Sequence, residues 1–420
     1  MITSADPPLA TPAWRKWQTA MPFVLRPALV VILLVVTQFA VTGFLLKRTL
    51  REPDRLEWFL HGDTGTFLGI AHRFLGGDYS MSWVAKRPHR VPLFPASLAL
   101  SLRFSNENVV GLAAVNLVIA CLTVAMVYFT TLWLLENRLV AALLGVACLA
   151  NSFLIEFNTQ RLMTEPLFIL TAGCAAYFFV AYARNHRARD LCFMSLFCSL
   201  SYLARVNGLF MILAMFGVLF AFDLIRTIRG SRNGIPRAMV EVVGRHGIAF
   251  SLALLITAVN WWPRWHYFGN PIAHGYPTNY LWVDTGEQGT TGLPHPTYGL
   301  KDYMAVHTLH DVLMRWKLGI YRVYMTIPIR REGIPVQYWL AVAGVLVAFV
   351  YRKAEFILLT VVMIAVLLPS AWTYLPIPEG RIPYSSFLPY EFLFAALALD
   401  FAVGKLSRWR CHIFPSRSQS

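Results

Sequence analysis

The chain has 420 residues, 57% of them hydrophobic and only 14% charged, with a formal net charge of +15 and a mean hydropathy of +0.52. Repeated uncharged runs of about 18–20 residues exceed what a soluble core requires and match the length that crosses about 30 Å of hydrocarbon, which excludes a soluble globular domain. The basic residues are not gathered with exposed aromatics on any soluble face, so a nucleic-acid binder is excluded as well.

Backbone groups in lipid must be satisfied within helices or closed barrels, and these runs are continuously apolar rather than alternating. The fold class expected is therefore an all-α polytopic membrane protein. In chain order, spans are expected near 27–46, 109–135, 139–158, 164–184, 190–206, 208–226, 246–264, 335–351, 355–372 and 384–403. They make one membrane domain over 1–403, followed by a basic tail over 404–420. The first span follows Arg15, Lys16 and Arg26 and lacks a small-residue cleavage site, so it reads as an anchor rather than a removed signal peptide. Cys121, Cys148, Cys174, Cys192 and Cys198 fall inside spans and Cys411 in the tail, a usage that fits small buried hydrophobes and offers no C-x-x-C pair.

Sidedness follows from charge in the short connections. Arg184, Arg187 and Arg189, then Arg226, Arg229, Arg232 and Arg237, then Arg352 and Lys353, and finally Lys405, Arg408 and Arg410 fall on one side, which the positive-inside rule makes cytoplasmic together with both termini. Two long segments, about 47–108 and 265–334, then lie on the outer face.

The acids of those outer segments are the candidates for chemistry. Asp63 opens a stretch in which Phe67, Ile70, Ala71, Phe74 and Leu75 follow helical spacing with His72 and Arg73 opposite, the pattern of an amphipathic interfacial helix with Asp63 in its first turn. Residues 87–104 carry Pro88, Pro92 and Pro95 and are too short to cross, so this stretch is expected to re-enter the interface. Glu165 starts a span directly before Pro166, and Arg205 lies between two apolar runs with no acid close in sequence, a costly place for a lone cation. In the second long segment Leu309, Leu313, Trp316, Ile320, Val323 and Tyr324 describe another interfacial helix, whose Arg315, Lys317 and Arg322 would meet anionic headgroups. Trp261, Trp262 and Trp265 cluster at a span end as an interfacial belt does, and Glu379 precedes Arg381 at the outer end of the last span. His61, Asp63, His72 and His89 are of metal-ligand type, but their spacing matches no compact motif, so no metal is assigned.

Taken in order, these elements resemble the GT-C superfamily of membrane glycosyltransferases, which includes the protein O-mannosyltransferases and the bacterial aminoarabinose transferase. The resemblance rests on Asp63, the run Ala71–Gly77 with Asp78-Tyr79, the Arg87-x-x-Arg90-x-Pro92-x-Phe94-Pro95 element, Thr164-Glu165-Pro166-Leu167-Phe168, and Leu203–Gly208. It continues through Trp262-Pro263-Arg264 with Phe268–Pro271 and through Arg381–Pro389, and covers most of 27–400. The family's usual Arg-Asn is Arg264-Trp265 here, and its usual Arg-Tyr is Arg381-Ile382.

The resemblance implies transfer of a sugar, hexosyl or pentosyl, from a polyprenyl-phosphate donor to an acceptor hydroxyl on a lipid, glycan or protein at the extracytoplasmic face, with inversion. Asp63 would be the base and Glu165 would orient the acceptor or Asp63, or help hold a divalent cation. Arg264, Arg381, Arg205 and Arg90 would grip the lipid phosphate, and Asp78 would be a second acid. A bacterial cytoplasmic membrane is the expected location, and no cofactor is implied beyond a divalent metal that some relatives use. A lipid or sugar transporter, or flippase, is the alternative; it would place ionisable groups or broken helices near the bilayer midplane and often repeat its halves, and the sequence shows neither. A structural or assembly subunit, with outer loops that merely bind a partner, is a third reading.

Overall fold

The computed structural model describes residues 26–60, 63–86, 90–230, 235–271, 300–327, 336–373 and 381–413. Among the described residues the chain is helical, with no strand. Helix α1 (Pro27–Arg51) is the first apolar helix of spanning length, and the first long connecting segment after it holds α2 (Pro53–Leu60), α3 (Asp63–Leu75) and α4 (Leu93–Phe104). The membrane core follows as α5 (Val109–Leu135), α6 (Arg138–Ala150), α7 (Ser152–Thr159), α8 (Glu165–Asn185), α9 (Ala188–Ala204), α10 (Gly208–Gly230) and α11 (Ile235–Phe268). Beyond the second long segment, with α12 (Leu300–Val306) and α13 (Leu309–Tyr321), come α14 (Val336–Val350), α15 (Ala354–Thr373) and α16 (Arg381–Ile413).

The all-α polytopic class holds, and every expected span coincides with a helix or a helix pair, but not every one of the ten is a helix of full spanning length. Among the described residues seven helices are long and apolar enough to cross a membrane, or eight if one bent pair is a single span. That pair is α6 and α7, which turn by 53° at Asn151. Its side chain accepts from the Leu154 amide at 3.1 Å, so Asn151 ends one helix and caps the next. Helices α9, of 17 residues, and α14, of 15, are shorter than any of the seven helices of spanning length.

Two expectations about mid-span features also need correction. The broken pair is one. The other is Glu391, fully buried eleven residues into α16 beside the buried Tyr390. An apolar run hides both, because one polar residue barely changes its average hydropathy.

Helices α8 and α16 are the most enclosed of the spans, with 72% and 67% of their apolar windows buried, whereas α1 has 22% and presents Ile32, Leu33, Val36, Phe39 and Phe44 outward. An apolar surface of this kind suits lipid as its solvent. The enclosed helices are therefore the ones whose first turns can shelter polar groups. Both amphipathic helices of the long segments form as expected. The apolar side of α3 packs on α4, with Phe67 and Phe94 edge to face at 5.4 Å, while His72 and Arg73 stay exposed. In α13 the apolar Leu309, Leu313, Leu318 and Ile320 face outward and Arg315 is buried. Arg315 does not reach toward headgroups as expected: its Nε donates to the Trp372 carbonyl at 3.0 Å and its guanidinium to the Tyr303 hydroxyl at 2.9 Å, with the Trp372 ring 4.5 Å away.

Candidate active site

Asp63 and Glu165 each occupy the first turn of a helix, α3 and α8. There the unpaired backbone N–H groups and the helix dipole favour a carboxylate. Arg381 begins α16 and lies between them: its guanidinium donates to Asp63 Oδ2 at 3.3 Å and its Nε is 3.7 Å from Glu165 Oε1. Residues 102 and 318 positions apart from Asp63 in sequence thus meet at one point.

Two further arginines complete the cluster. Arg90 pairs with Asp63 Oδ1 and lies 4.8 Å over the ring of Phe67, so an aromatic face and a carboxylate fix it together. Arg205 lies 2.6 Å from Glu165 Oε1 and donates to the Thr164 hydroxyl at 3.4 Å. It stands in extended backbone between α9 and α10. The chain can reverse there because Gly208 has no Cβ, which would sit 2.3 Å from the Tyr202 amide nitrogen.

Arg264 is placed differently. It is fully buried in the last turns of α11, where it donates to the Asn260 carbonyl at 2.5 Å, to the Asn260 side chain, and to the backbone carbonyl of Arg90 at 2.8 Å. It therefore holds the backbone of Arg90. Asp78 stands apart from the acids: it accepts from the Ser80 hydroxyl at 2.6 Å and the Ser80 amide at 3.1 Å, and Arg73 is 3.6 Å away. The Ser80 bonds hold its carboxyl below the ordinary aspartate value.

The cluster of Asp63, Glu165, Arg90, Arg205 and Arg381 has three guanidiniums for two carboxylates, a formal surplus of one positive charge. Asp63 is 32% exposed, and Arg381, Arg90 and Arg205 are 21%, 14% and 14% exposed, whereas Glu165 is 1% exposed. One carboxylate is thus reachable and the other enclosed. The Nε of Arg90 is buried with no hydrogen-bond partner among the described residues, leaving a donor that an anion could satisfy. Chemically, the cluster can bind a singly charged phosphodiester and offer one carboxylate beside it.

Of the metal-type side chains, His61 and His89 lie outside the described residues, and His72 faces Glu107 at 3.9 Å. Among the described residues no three His, Cys, Asp or Glu side chains converge as a metal set.

The sequence reading did not single out Thr64, Thr164, Asn116 or Asn260. Each binds the backbone or the arginines near the acids. A signal existed for the last two: an amide side chain within an apolar span is rare unless it has a partner.

Residues 86–239 match the sequence model of the dolichyl-phosphate-mannose-protein mannosyltransferase family, so the GT-C resemblance of the motifs is supported over that stretch. No curated protein matches the chain. Two solved structures of the Archaeoglobus fulgidus oligosaccharyltransferase are similar. One is tethered with an acceptor peptide, with a TM-score of 0.43 at 14% identity over 77% of this chain and 42% of that one. The other is in complex with an inhibitory peptide and a dolichol-phosphate, with a TM-score of 0.44 at 13% identity over 79% and 44%. The chain spans less than half the length of either.

Proposed function

We propose that this GT-C-type chain transfers a sugar from a polyprenyl-phosphate donor to an acceptor hydroxyl at the extracytoplasmic membrane surface. The observation that carries the reading is Arg381 bridging Asp63 and Glu165, which puts a reachable carboxylate and a phosphate-binding fork in one place.

The reaction needs little else. The acceptor oxygen forms a bond to the anomeric carbon, the bond from that carbon to the phosphate oxygen breaks, and the electron pair leaves on the polyprenyl phosphate. Its growing negative charge is met by guanidiniums, whose planar forks suit phosphate oxygens. The acceptor proton passes to Asp63. Inversion then requires Asp63, once released from Arg381 and Arg90, to meet the acceptor on the ring face opposite the phosphate.

A carboxylate gripped by two guanidiniums is a poor base, because the paired, charged form is favoured. The donor phosphate resolves this by competing with Asp63 for Arg381 and Arg90 as it enters. Binding the donor then releases the base, and water alone leaves the acid locked. Glu165, held by Arg205, keeps one side of Arg381 anchored during the exchange, and Arg264 keeps the Arg90 backbone in place.

The experiment is to incubate purified protein with a panel of polyprenyl-phosphate sugars and acceptors, identify the donor consumed, and assign the product's anomeric configuration. One donor class should be consumed with inversion. Retention of configuration, or movement of intact donor across vesicles without sugar transfer, would overturn the reading.

A further inference from the structure

The last turn of α7 and the residues after it, as far as Leu162, present backbone carbonyls that need donors. Three side chains from three different helices supply them. Asn116 on α5 donates to the carbonyls of Phe157 and Asn158, each at 3.3 Å, and of Arg161 at 2.9 Å. Thr49 on α1 donates to the Thr159 carbonyl at 2.9 Å.

The third donor is Thr64, the residue directly after Asp63. Its hydroxyl lies 3.0 Å from the Leu162 carbonyl and 3.3 Å from the Phe59 carbonyl, and the Leu162 amide donates to that same Phe59 carbonyl at 3.3 Å. Thr64, Phe59 and Leu162 are each no more than 1% exposed. The result is a closed, buried knot joining the end of α2, the start of α3 and the segment that leads into α8. One side of the knot carries Asp63 as its next residue, and the other reaches Glu165 three residues on.

We propose that Thr64 is a positioning residue: its hydroxyl fixes the separation of Asp63 from Glu165, and so the span that Arg381 must bridge. This rests on the proposed transfer reaction, to which it adds a group that touches neither donor nor acceptor. No nearby chain connection keeps Leu162 and Thr64 in register, since 98 residues separate them. A buried hydroxyl facing two carbonyls can donate to only one at a time, and removing it leaves the Leu162 carbonyl without that donor.

The test compares Thr64→Val, which keeps the shape and removes the hydroxyl, with Thr64→Ser, which keeps the hydroxyl. A shift of about 1 Å in a reacting group can cost on the order of 10²-fold, so Thr64→Val should lower kcat at least about tenfold with little change in the donor KM. Thr64→Ser should restore most of it. In a Glu165→Gln background the Thr64→Val penalty should shrink, because the separation it protects no longer serves an ion pair. Equal kcat in Thr64→Val and wild type, or an undiminished penalty in that background, would overturn the proposal.

Hydrogen exchange of the peptide spanning 157–165 separates the two readings. Faster exchange there in Thr64→Val, in a protein whose wild type transfers no sugar, would defeat the transfer reaction while leaving the knot. Unchanged exchange would defeat the knot itself. If Thr64→Val does not fold, an inactive Thr64→Ser that folds would equally count against it.

Discussion

Glu165 is a buried charge held by two arginines. It is 1% exposed, with Arg205 at 2.6 Å and Arg381 at 3.7 Å. Removing one partner of a buried pair leaves an uncompensated charge, at a cost of about 3–5 kcal/mol. Glu165→Ala should therefore lower the unfolding midpoint in detergent clearly more than Asp63→Ala, since Asp63 is 32% exposed. Equal midpoints would show that Glu165 is not the structural member. Arg381→Lys should cut transfer by about 10–100-fold, because a single ammonium cannot reproduce a planar fork that reaches two carboxylates; activity within twofold of wild type would refute the bridge. At this scale the sequence was informative about residue type. Asp63, Glu165, Arg90, Arg205 and Arg381 were all legible as candidates, because a charge in so apolar a chain needs a reason. Their convergence was not legible, since nothing in local spacing brings Arg381 to Asp63. The burial of Arg264 against the Arg90 carbonyl was equally invisible, because a guanidinium in a motif looks the same whether it faces a ligand or a backbone.

Helices carry the next level of the account. Glycines mark where two of them touch: a Cβ on Gly319 would lie 1.8 Å from the Ala371 carbonyl oxygen, and one on Gly344 would lie 1.9 Å from that of Phe394. The first contact docks α13 on α15 beside the Arg315 clamp, and the second docks α14 on α16, the helix that begins with Arg381. Small residues of this kind let membrane helices approach closely. Gly319→Ala and Gly344→Ala should each destabilise the protein by about 1–3 kcal/mol as overpacked contacts do, while Gly43→Ala, inside α1 with nothing within 4 Å, should not lower the unfolding midpoint, since alanine favours a helix interior over glycine. Thermal unfolding of the three variants in one detergent decides this. Long apolar runs made α1, α5, α8, α10 and α11 readable in advance. The break at Asn151 escaped because Asn-Ser within an apolar run is a start signal only when weighed as a cap rather than as two polar residues in a span.

For the whole molecule, the arrangement of charge predicts a membrane sidedness that the site requires. If the arginine-rich connections are cytoplasmic, exposed Arg187 faces the cytosol, and exposed Glu107 faces outward on the side of Asp63. In a cysteine-free background, Glu107→Cys should react with a membrane-impermeant thiol reagent in intact cells, and Arg187→Cys only after permeabilisation. The reverse pattern would put the site in the cytosol. Composition settled the all-helical membrane class early, because no soluble fold needs so many uncharged runs. It could not settle the number of crossings, since α9 and α14 are apolar enough to read as spans yet are 17 and 15 residues long.

The central claim is that one reachable carboxylate removes the acceptor proton beside arginines that hold the departing phosphate. Donor binding and sugar transfer should be measured side by side in proteoliposomes for wild type and Asp63→Asn. The account predicts that the variant binds the polyprenyl-phosphate sugar at least as tightly, because Arg381 and Arg90 lose their internal competitor, while transfer falls by about 10²–10⁴-fold. Transfer by Asp63→Asn at the wild-type rate would contradict it.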